Sequence, residues 1–447
     1  MNRKLILIFS FIVFFNISVK AQLQTNSFNL QQCIDYAYKN QVNVKNASID
    51  KEIARYKIKE TTGIGLPQIK SVSTYNYFID VPTQVIPRSA FGDASGGFLT
   101  PQFGIANTLS YGLEASQILF NGSYLVGLQA SKTYAELSNK ALDRTKIDVN
   151  VAVSKAYYQL LIARERLILL DANIDRLAKS FKEIKALNEN GFVEKIDANR
   201  TELIYNNLAT EKANTVRLID FSLQLLKFQI GMPLNENLVI NEKLGEMNFT
   251  PNLDLGGDTV NYENRIEYSL LKTSLRAAEL TNKFDKSSYL PTLVAFANYS
   301  RNLQEQKVSN LIGTQFNFPT TIVGVSLEVP IFSGGQRYYK VRQSKLGIYK
   351  AQNDLENYKN VVNLETQQGK TNYTNSIVSF KNQKKNMALA EEVVRVSRIK
   401  YEQGIGSGLE VTTAETEYKT AQNNYLSALY DALIAKIDLE KAKGNIK

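Results

Sequence analysis

Histidine is missing from all 447 residues. That removes the commonest general base near neutral pH and the commonest transition-metal ligand. Cysteine occurs once, as Cys33. A lone thiol forms no disulfide within the chain, and without histidine it has no partner for nucleophilic catalysis. Its expected role is that of a small apolar residue on a helix. No apolar run of 18 residues follows the N-terminal segment, so no transmembrane helix is expected beyond it. Paired carboxylates for acid–base work do not stand out. Gly404-Ile405-Gly406-Ser407-Gly408 lacks the lysine and the preceding strand that a phosphate loop needs. These absences argue against an enzyme and nominate no catalytic, cofactor-binding or metal-ligating residue.

The N-terminus reads as an export signal. Arg3 and Lys4 precede an apolar stretch from Leu5 to Ile17, and Val19-Lys20-Ala21 suits a signal peptidase. Residues 1–21 are therefore expected to be removed. The whole chain carries a net charge of +10. Without Arg3, Lys4 and Lys20 it is +7, because residues 1–21 hold no acid. Bases and acids are mixed along the chain, the pattern of solvated helix faces, and no basic cluster points to nucleic acid.

What is present is an internal repeat, offset by a little over 210 residues. Leu66-Pro67-Gln68-Ile69 answers to Leu290-Pro291-Thr292-Leu293, and Tyr111 to Gly122 answers to Val323 to Gly334. Gly191-Phe192-Val193 through Asp197 answers to Gly404-Ile405-Gly406 through Glu410. The order is the same in both halves. The expected joint, residues 248–261, holds Pro251 and the breaker pair Gly256-Gly257.

Each half shows one helical stretch, two alternating stretches, and then two very long helices around a glycine turn. No Gly or Pro lies between Gly127 and Gly191, enough for a helix of about 95 Å. Phe192 to Ile230 is equally free of them, as is Leu409 to Lys443, while Gln336 to Gln403 holds only Gly347 and Gly369. Such lengths, with Ala152, Ala156, Tyr157, Leu160, Leu161 and Ala163 at helical spacing, predict coiled-coil packing. The alternation of Leu109, Tyr111, Leu113 and Ala115, and of Thr321, Val323, Val325, Leu327 and Val329, predicts strands with one apolar face. Tyr75, Tyr77, Ile79 and Val81 alternate likewise, whereas Thr292 to Arg301 does so less cleanly. Segments of this length suit either a membrane barrel or a half-buried sheet. Four strands alone do not close, and an open sheet leaves unpaired backbone in hydrocarbon. Three copies would supply twelve strands.

The chain resembles the TolC-like outer-membrane efflux proteins over essentially its whole length after the signal. The resemblance is carried by Val329-Pro330-Ile331-Phe332-Ser333-Gly334-Gly335-Gln336-Arg337, by its degenerate partner Ile118-Leu119-Phe120-Asn121-Gly122, and by the paired glycine turns. It implies a mostly α fold with a small transmembrane β part. Two tandem structural repeats would form one third of a 12-stranded β-barrel plus a long periplasmic coiled-coil α-barrel. The first repeat would be 22–247, with strands about 70–81 and 107–119 and a hairpin about 123–230. The second would be 262–447, with strands about 292–302 and 320–331 and a hairpin about 336–443. The implied function is an exit duct of a tripartite efflux or type I secretion system. Its partners would be two further copies, a periplasmic adaptor, an inner-membrane pump of RND, ABC or MFS type, and outer-membrane lipid.

The resemblance also assigns residues. Pro67, Pro291, Pro330, Phe332, Gly334 and Gly335 would mark transitions between barrel and helices. Gly191, Phe192, Val193, Gly404, Ile405 and Gly406 would be hairpin tips that meet the adaptor. Asp197, Tyr401 and Glu410 would gate the periplasmic aperture, with a Tyr401–Asp197 contact holding it closed. The chain departs from that pattern at Gly406, where the family has an arginine, and at Thr413, where it has a second acid. Carboxylates at a helix start also suit the helix dipole without any gating role. Tyr75, Tyr77, Tyr111 and Tyr299 fit an aromatic girdle or a core equally. An exported structural or adhesive helical bundle is the alternative from another class.

Overall fold

The computed structural model describes residues 26–92, 95–244 and 260–446. The expected signal and most of the expected joint at 248–261 lie outside them. In chain order the elements are β1 (Asn26–Ser27), α1 (Leu30–Asn40), α2 (Val42–Ile64), β2 (Gln68–Tyr77), β3 (Ile86–Pro87), β4 (Phe98–Leu99) and β5 (Asn107–Asn121). Then come α3 (Gly122–Glu189), α4 (Lys195–Ile230), β6 (Leu238–Val239), α5 (Ile266–Ser287), β7 (Thr292–Glu305), β8 (Asn317–Glu328), α6 (Gln336–Glu402) and α7 (Gly408–Lys443). The chain is mostly helical, and among the described residues no helix is long and apolar enough to cross a membrane.

Two units divide these elements. One comprises Val42–Asp148, Leu253–Asn375 and Ala435–Lys447. Its centre is an antiparallel sheet of order β2-β5-β7-β8. Registers follow the alternation. Ile69, Ala115, Ala297 and Val323 form one rung on the apolar face. Lys70, Glu114, Asn298 and Ile322 form the next, on the opposite face, where the Lys70 ammonium lies 2.8 Å from the Glu114 carboxylate. A bulge at Leu119 restores the apolar face for Phe120, which pairs with Leu293. Phe296 lies over Gly324 of the neighbouring strand, so a side chain there would have to displace the ring.

This sheet has no core on its apolar side. Val323 is 78% exposed, Ile69 73% and Val325 61%. Tyr75, Tyr77, Tyr111 and Tyr299 share that face and are exposed, so within one chain they are not core. The outer edges of β2 and β8 have no partner strand among the described residues.

The strand ends differ from the sequence expectation in explicable ways. Strand β2 stops at Tyr77, whose partner Asn107 begins β5, so Ile79 and Val81 fall beyond it. Strand β8 stops at Glu328, because Pro330 has no N–H to continue the ladder. Strand β7 runs on to Glu305 with the Gln304 N–H bonded to the Phe316 carbonyl, so residues 303–305 and 317–319 extend the expected strands. The β2–β5 connection folds partly into a small ribbon, β3–β4. Gly334 and Gly335 take φ of 59° and 81°, which side-chain-bearing residues rarely adopt, and the Gln336 N–H closes the turn on Ser333. The corresponding step at Asn121-Gly122 enters α3 directly. The Asn121 carboxamide there caps the Tyr124 N–H at 2.8 Å.

The other unit comprises Met1–Gln41, Val149–Asn252 and Ser376–Ile434. It is helical, with a short parallel pairing of β1 and β6. Asn29 and Gln32 form a reciprocal capping box that starts α1. Val153, Tyr157, Leu160, Leu226 and Ile230 are fully buried. Tyr157 donates to the Glu242 carboxylate at 2.5 Å, and Arg164 to the Ile240 carbonyl at 2.6 Å. Cys33 is buried in this unit, and burial, reinforced by the Glu242 charge, pushes its thiol up to about 12. Such a thiol is unreactive near neutrality. Toward the hairpin ends the packing narrows to small clusters. Leu170, Ile174 and Leu177 at four–three spacing meet Ile204 and Leu208, and Val394 meets Ala414 and Tyr418.

Candidate functional site

Both glycine turns close by the same hydrogen bonds. The Phe192 N–H bonds to the Leu187 carbonyl at 2.9 Å and the Gly191 N–H to the Asn188 carbonyl at 2.9 Å. In the second turn, Ile405 bonds to Lys400 and Gly404 to Tyr401, each at 3.0 Å. This is the Schellman arrangement, and it needs a left-handed residue where Gly191 has φ 79° and Gly404 has φ 73°. The motif normally folds an apolar side chain back at the next position. Here Phe192 is 78% exposed and Ile405 74%, so both side chains project from the tips. Val193 is half-buried, and its carbonyl accepts from Asn188. The Gly406 N–H joins Ile405 on the Lys400 carbonyl.

Asp197 lies in the first turn of α4, and its carboxylate packs against Gly408, the first residue of α7. A Cβ on Gly408 would stand 3.3 Å from the Asp197 Cγ. The acid thus meets the positive end of a second helix besides its own. Arg200 lies 3.7 Å from it. The Tyr401 hydroxyl, on α6, is buried with no hydrogen-bond partner among the described residues. Burial first, then the charges of Asp197 and Glu183, pushes the phenol above its ordinary value of 10. The structure therefore brings Tyr401 and Asp197 within electrostatic reach, without a hydrogen bond between them. Glu410 is exposed, and its N–H bonds to the Ser407 hydroxyl at 3.2 Å.

A raised phenol pKa has a signed consequence. Its stabilisation is complete below the unfolded value near 10 and is lost as pH climbs above it. Tip order is expected to be flat from pH 7 to 9 and to fall above pH 10, read as protease cleavage near residues 191 and 404. In Tyr401→Phe the fall at Tyr401 should vanish with little change at pH 7, since the hydroxyl has no partner to lose.

Sequence inspection missed a second group in the same unit. Glu415 of α7 is nearly buried between two arginines, Arg398 of α6 at 3.1 Å and Arg176 of α3 at 3.6 Å. The Arg176 guanidinium also stacks 5.0 Å from the Tyr418 ring and bonds to Asn173. Asn173 in turn donates to Gln422 at 2.7 Å. Glu415 sits five residues after Glu410, and its burial is the only signal that separates it from the exposed acids around it. Among the described residues no cluster of His, Cys, Asp and Glu suits a metal ion.

Residues 271–445 match the family model described as outer membrane efflux protein. The outer membrane protein TolC of Vibrio cholerae is 20% identical over 420 residues, covering 94% of this chain and 91% of that protein. Over residues 271–445 the chain is similar to the outer membrane efflux proteins. The proteases secretion protein PrtF of Dickeya chrysanthemi is 23% identical over 311 residues, covering 68% of this chain and 65% of that protein. Among solved structures, the outer membrane protein VceC of Vibrio cholerae superposes with a TM-score of 0.72 at 12% identity, covering 93% of this chain and 96% of VceC. That likeness extends over 93% of the chain, so its fold is that of VceC.

Proposed function

We propose that the chain is one third of an outer-membrane exit duct, carrying substrates out of the periplasm for an efflux pump or a type I secretion system. The observation that carries this is the sheet. Its apolar face is exposed, its other face is largely polar, and among the described residues both outer edges lack partners. Strand β8 of one copy pairing with β2 of the next would close three sheets into a twelve-stranded barrel and remove every edge. The exposed apolar face then meets lipid and the polar face lines the lumen. Each copy consists of two tandem repeats, residues 22–247 and 262–447, whose long helices extend into the periplasm as a coiled-coil α-barrel. Residues 1–21 direct export and are removed. Pro67, Pro291, Pro330 and the Phe332 to Gly335 step join the barrel to the helices.

The hairpin tips form the periplasmic aperture. Phe192 and Ile405, projecting from their turns, with Gly191, Val193, Gly404 and Gly406, meet a periplasmic adaptor that links the duct to an inner-membrane pump. Asp197, Tyr401 and Glu410 gate that aperture, and three copies of Glu410 make a ring that favours cations. The duct does no chemistry itself. The names TolC and PrtF belong to an outer membrane protein and a protease secretion protein, and both suit this role.

Cross-linking and heat-modified gel mobility in purified outer membranes, followed by planar-bilayer conductance, test the proposal. A detergent-stable trimer that conducts is the expected result. In the same assay Glu410→Gln should reduce cation preference at unchanged assembly. A monomer released by osmotic shock would instead favour the structural helical bundle.

A further inference from the structure

All four helices that adjoin the sheet attach at the same end of it. Helix α2 leads into β2, β5 into α3, α5 into β7 and β8 into α6, and the opposite end carries the two connections, one of them with the small β3–β4 ribbon. The fourteen residues of each helix nearest the sheet, 51–64, 122–135, 274–287 and 336–349, hold twelve Lys and Arg and four Asp and Glu. The chain has 53 and 43 in all, leaving 41 and 39 everywhere else. Almost the whole positive excess is therefore gathered at one level of the fold, although those segments are far apart in sequence.

The bases there face outward. Lys59, Lys132, Lys286, Arg342 and Lys345 are exposed, with no carboxylate partner among the described residues. Of the four acids, Asp285 is buried and 3.4 Å from Lys340. Tyrosines stand among the bases: Lys59 lies 5.3 Å from the Tyr56 ring, Arg342 5.3 Å from Tyr338 and Lys345 5.8 Å from Tyr349. Tyr338, Arg342, Lys345 and Tyr349 share one face of α6 by their four–three–four spacing. Asn282 of α5 bonds to Val341 and Ser344 on a different side of that helix, which leaves the stripe outward.

We infer that this collar binds anionic phospholipid headgroups of the periplasmic leaflet. The inference rests on the proposed membrane placement of the sheet. Where the apolar face ends, a bilayer presents phosphates, and exposed bases with amphipathic tyrosines match that layer in charge and polarity. Each base near an anionic surface favours association by about fivefold. The other end of the sheet has no such excess: residues 78–106 and 306–316 hold Arg88 and Lys307 against Asp80 and Asp93.

The test uses the full chain reconstituted in phosphatidylcholine vesicles with trace spin-labelled phosphatidylglycerol or phosphatidylcholine. The motionally restricted spectral component measures lipid held at the protein surface. Phosphatidylglycerol is expected to associate about threefold or more over phosphatidylcholine at low salt, approaching equality at about 0.5 M salt. The variant K59Q/K286Q/R342Q/K345Q should lose the preference while keeping its trimer, and R342K/K345R should keep both. A restricted component that is equal for the two lipids in the unmodified protein overturns the inference and leaves the duct standing. No restricted component at all means that the sheet is not in the bilayer, and the duct proposal fails with it. Loss of the trimer in the glutamine variant, without lipid preference in the parent, would assign the collar to contacts between copies and also overturn the inference.

Discussion

An arginine in place of Ala297 is expected to abolish the heat-modifiable outer-membrane form. Ala297 sits on the rung shared by Ile69, Ala115 and Val323, near the middle of the sheet's apolar face. In the proposed barrel that rung faces lipid. A cation at the bilayer midplane of a β-barrel costs about 2–4 kcal/mol per chain, and each trimer would carry three. Asn298→Arg supplies the control. It places the same charge one residue along, on the opposite face beside Glu114, and should assemble normally. Gel mobility of unheated outer membranes reads both. If Ala297→Arg assembled as well as Asn298→Arg, the apolar face would not be a lipid face.

The second large effect is expected from Glu415→Ala. Glu415 is 9% exposed, whereas Arg176 and Arg398 are about 30% exposed, so this network lies between a surface pair and a buried one. Exposed pairs contribute about 0–1 kcal/mol, and breaking a buried pair costs about 3–5 kcal/mol because the remaining charges lose their partner. A loss of about 2 kcal/mol follows for this unit, seen as a lower denaturant midpoint and faster cleavage between residues 187 and 194. Glu415→Gln should recover little, since it keeps the shape but not the charge. Replacing the cluster together, Glu415→Leu with Arg176→Met and Arg398→Met, should recover most of the loss, because no unpaired charge is left behind. In the proposed duct the position would also bear on gating. The chain has Gly406 where the family pattern has an arginine, and Arg176 and Arg398 supply ionic ties between α3, α6 and α7 by another route.

Much of the architecture was legible because it is written locally. A stretch without Gly or Pro between Gly127 and Gly191 has little choice but to continue as helix, and Gly191 and Gly404 end helices because the Schellman turn requires φ above zero. Alternation in Leu109 to Ala115 and in Thr321 to Leu327 set the strand faces, since a one-residue slip would invert them. Strand β7 was harder to read. Asn298 and Ser300 on one face lie beside Ala295 and Ala297 on the other, and small residues blur the contrast. At the candidate site, Asp197, six residues after Gly191, and Tyr401, three residues before Gly404, were nominated by the resemblance. Their relation was not legible, because a hydroxyl's partner depends on side-chain placement within an ångström.

What the sequence determined by itself is therefore the kind of element at each place and the face it turns. Hydrogen-bonded periodicity and turn conformation act over a few residues, and a few residues suffice to read them. Only the tertiary structure decided which distant groups meet: Asn173 with Gln422, Arg176 with Glu415, and the basic ends of four helices at one level of the sheet. Those meetings join residues tens to hundreds of positions apart, and their energies depend on burial and distance, which exist only once the chain is folded.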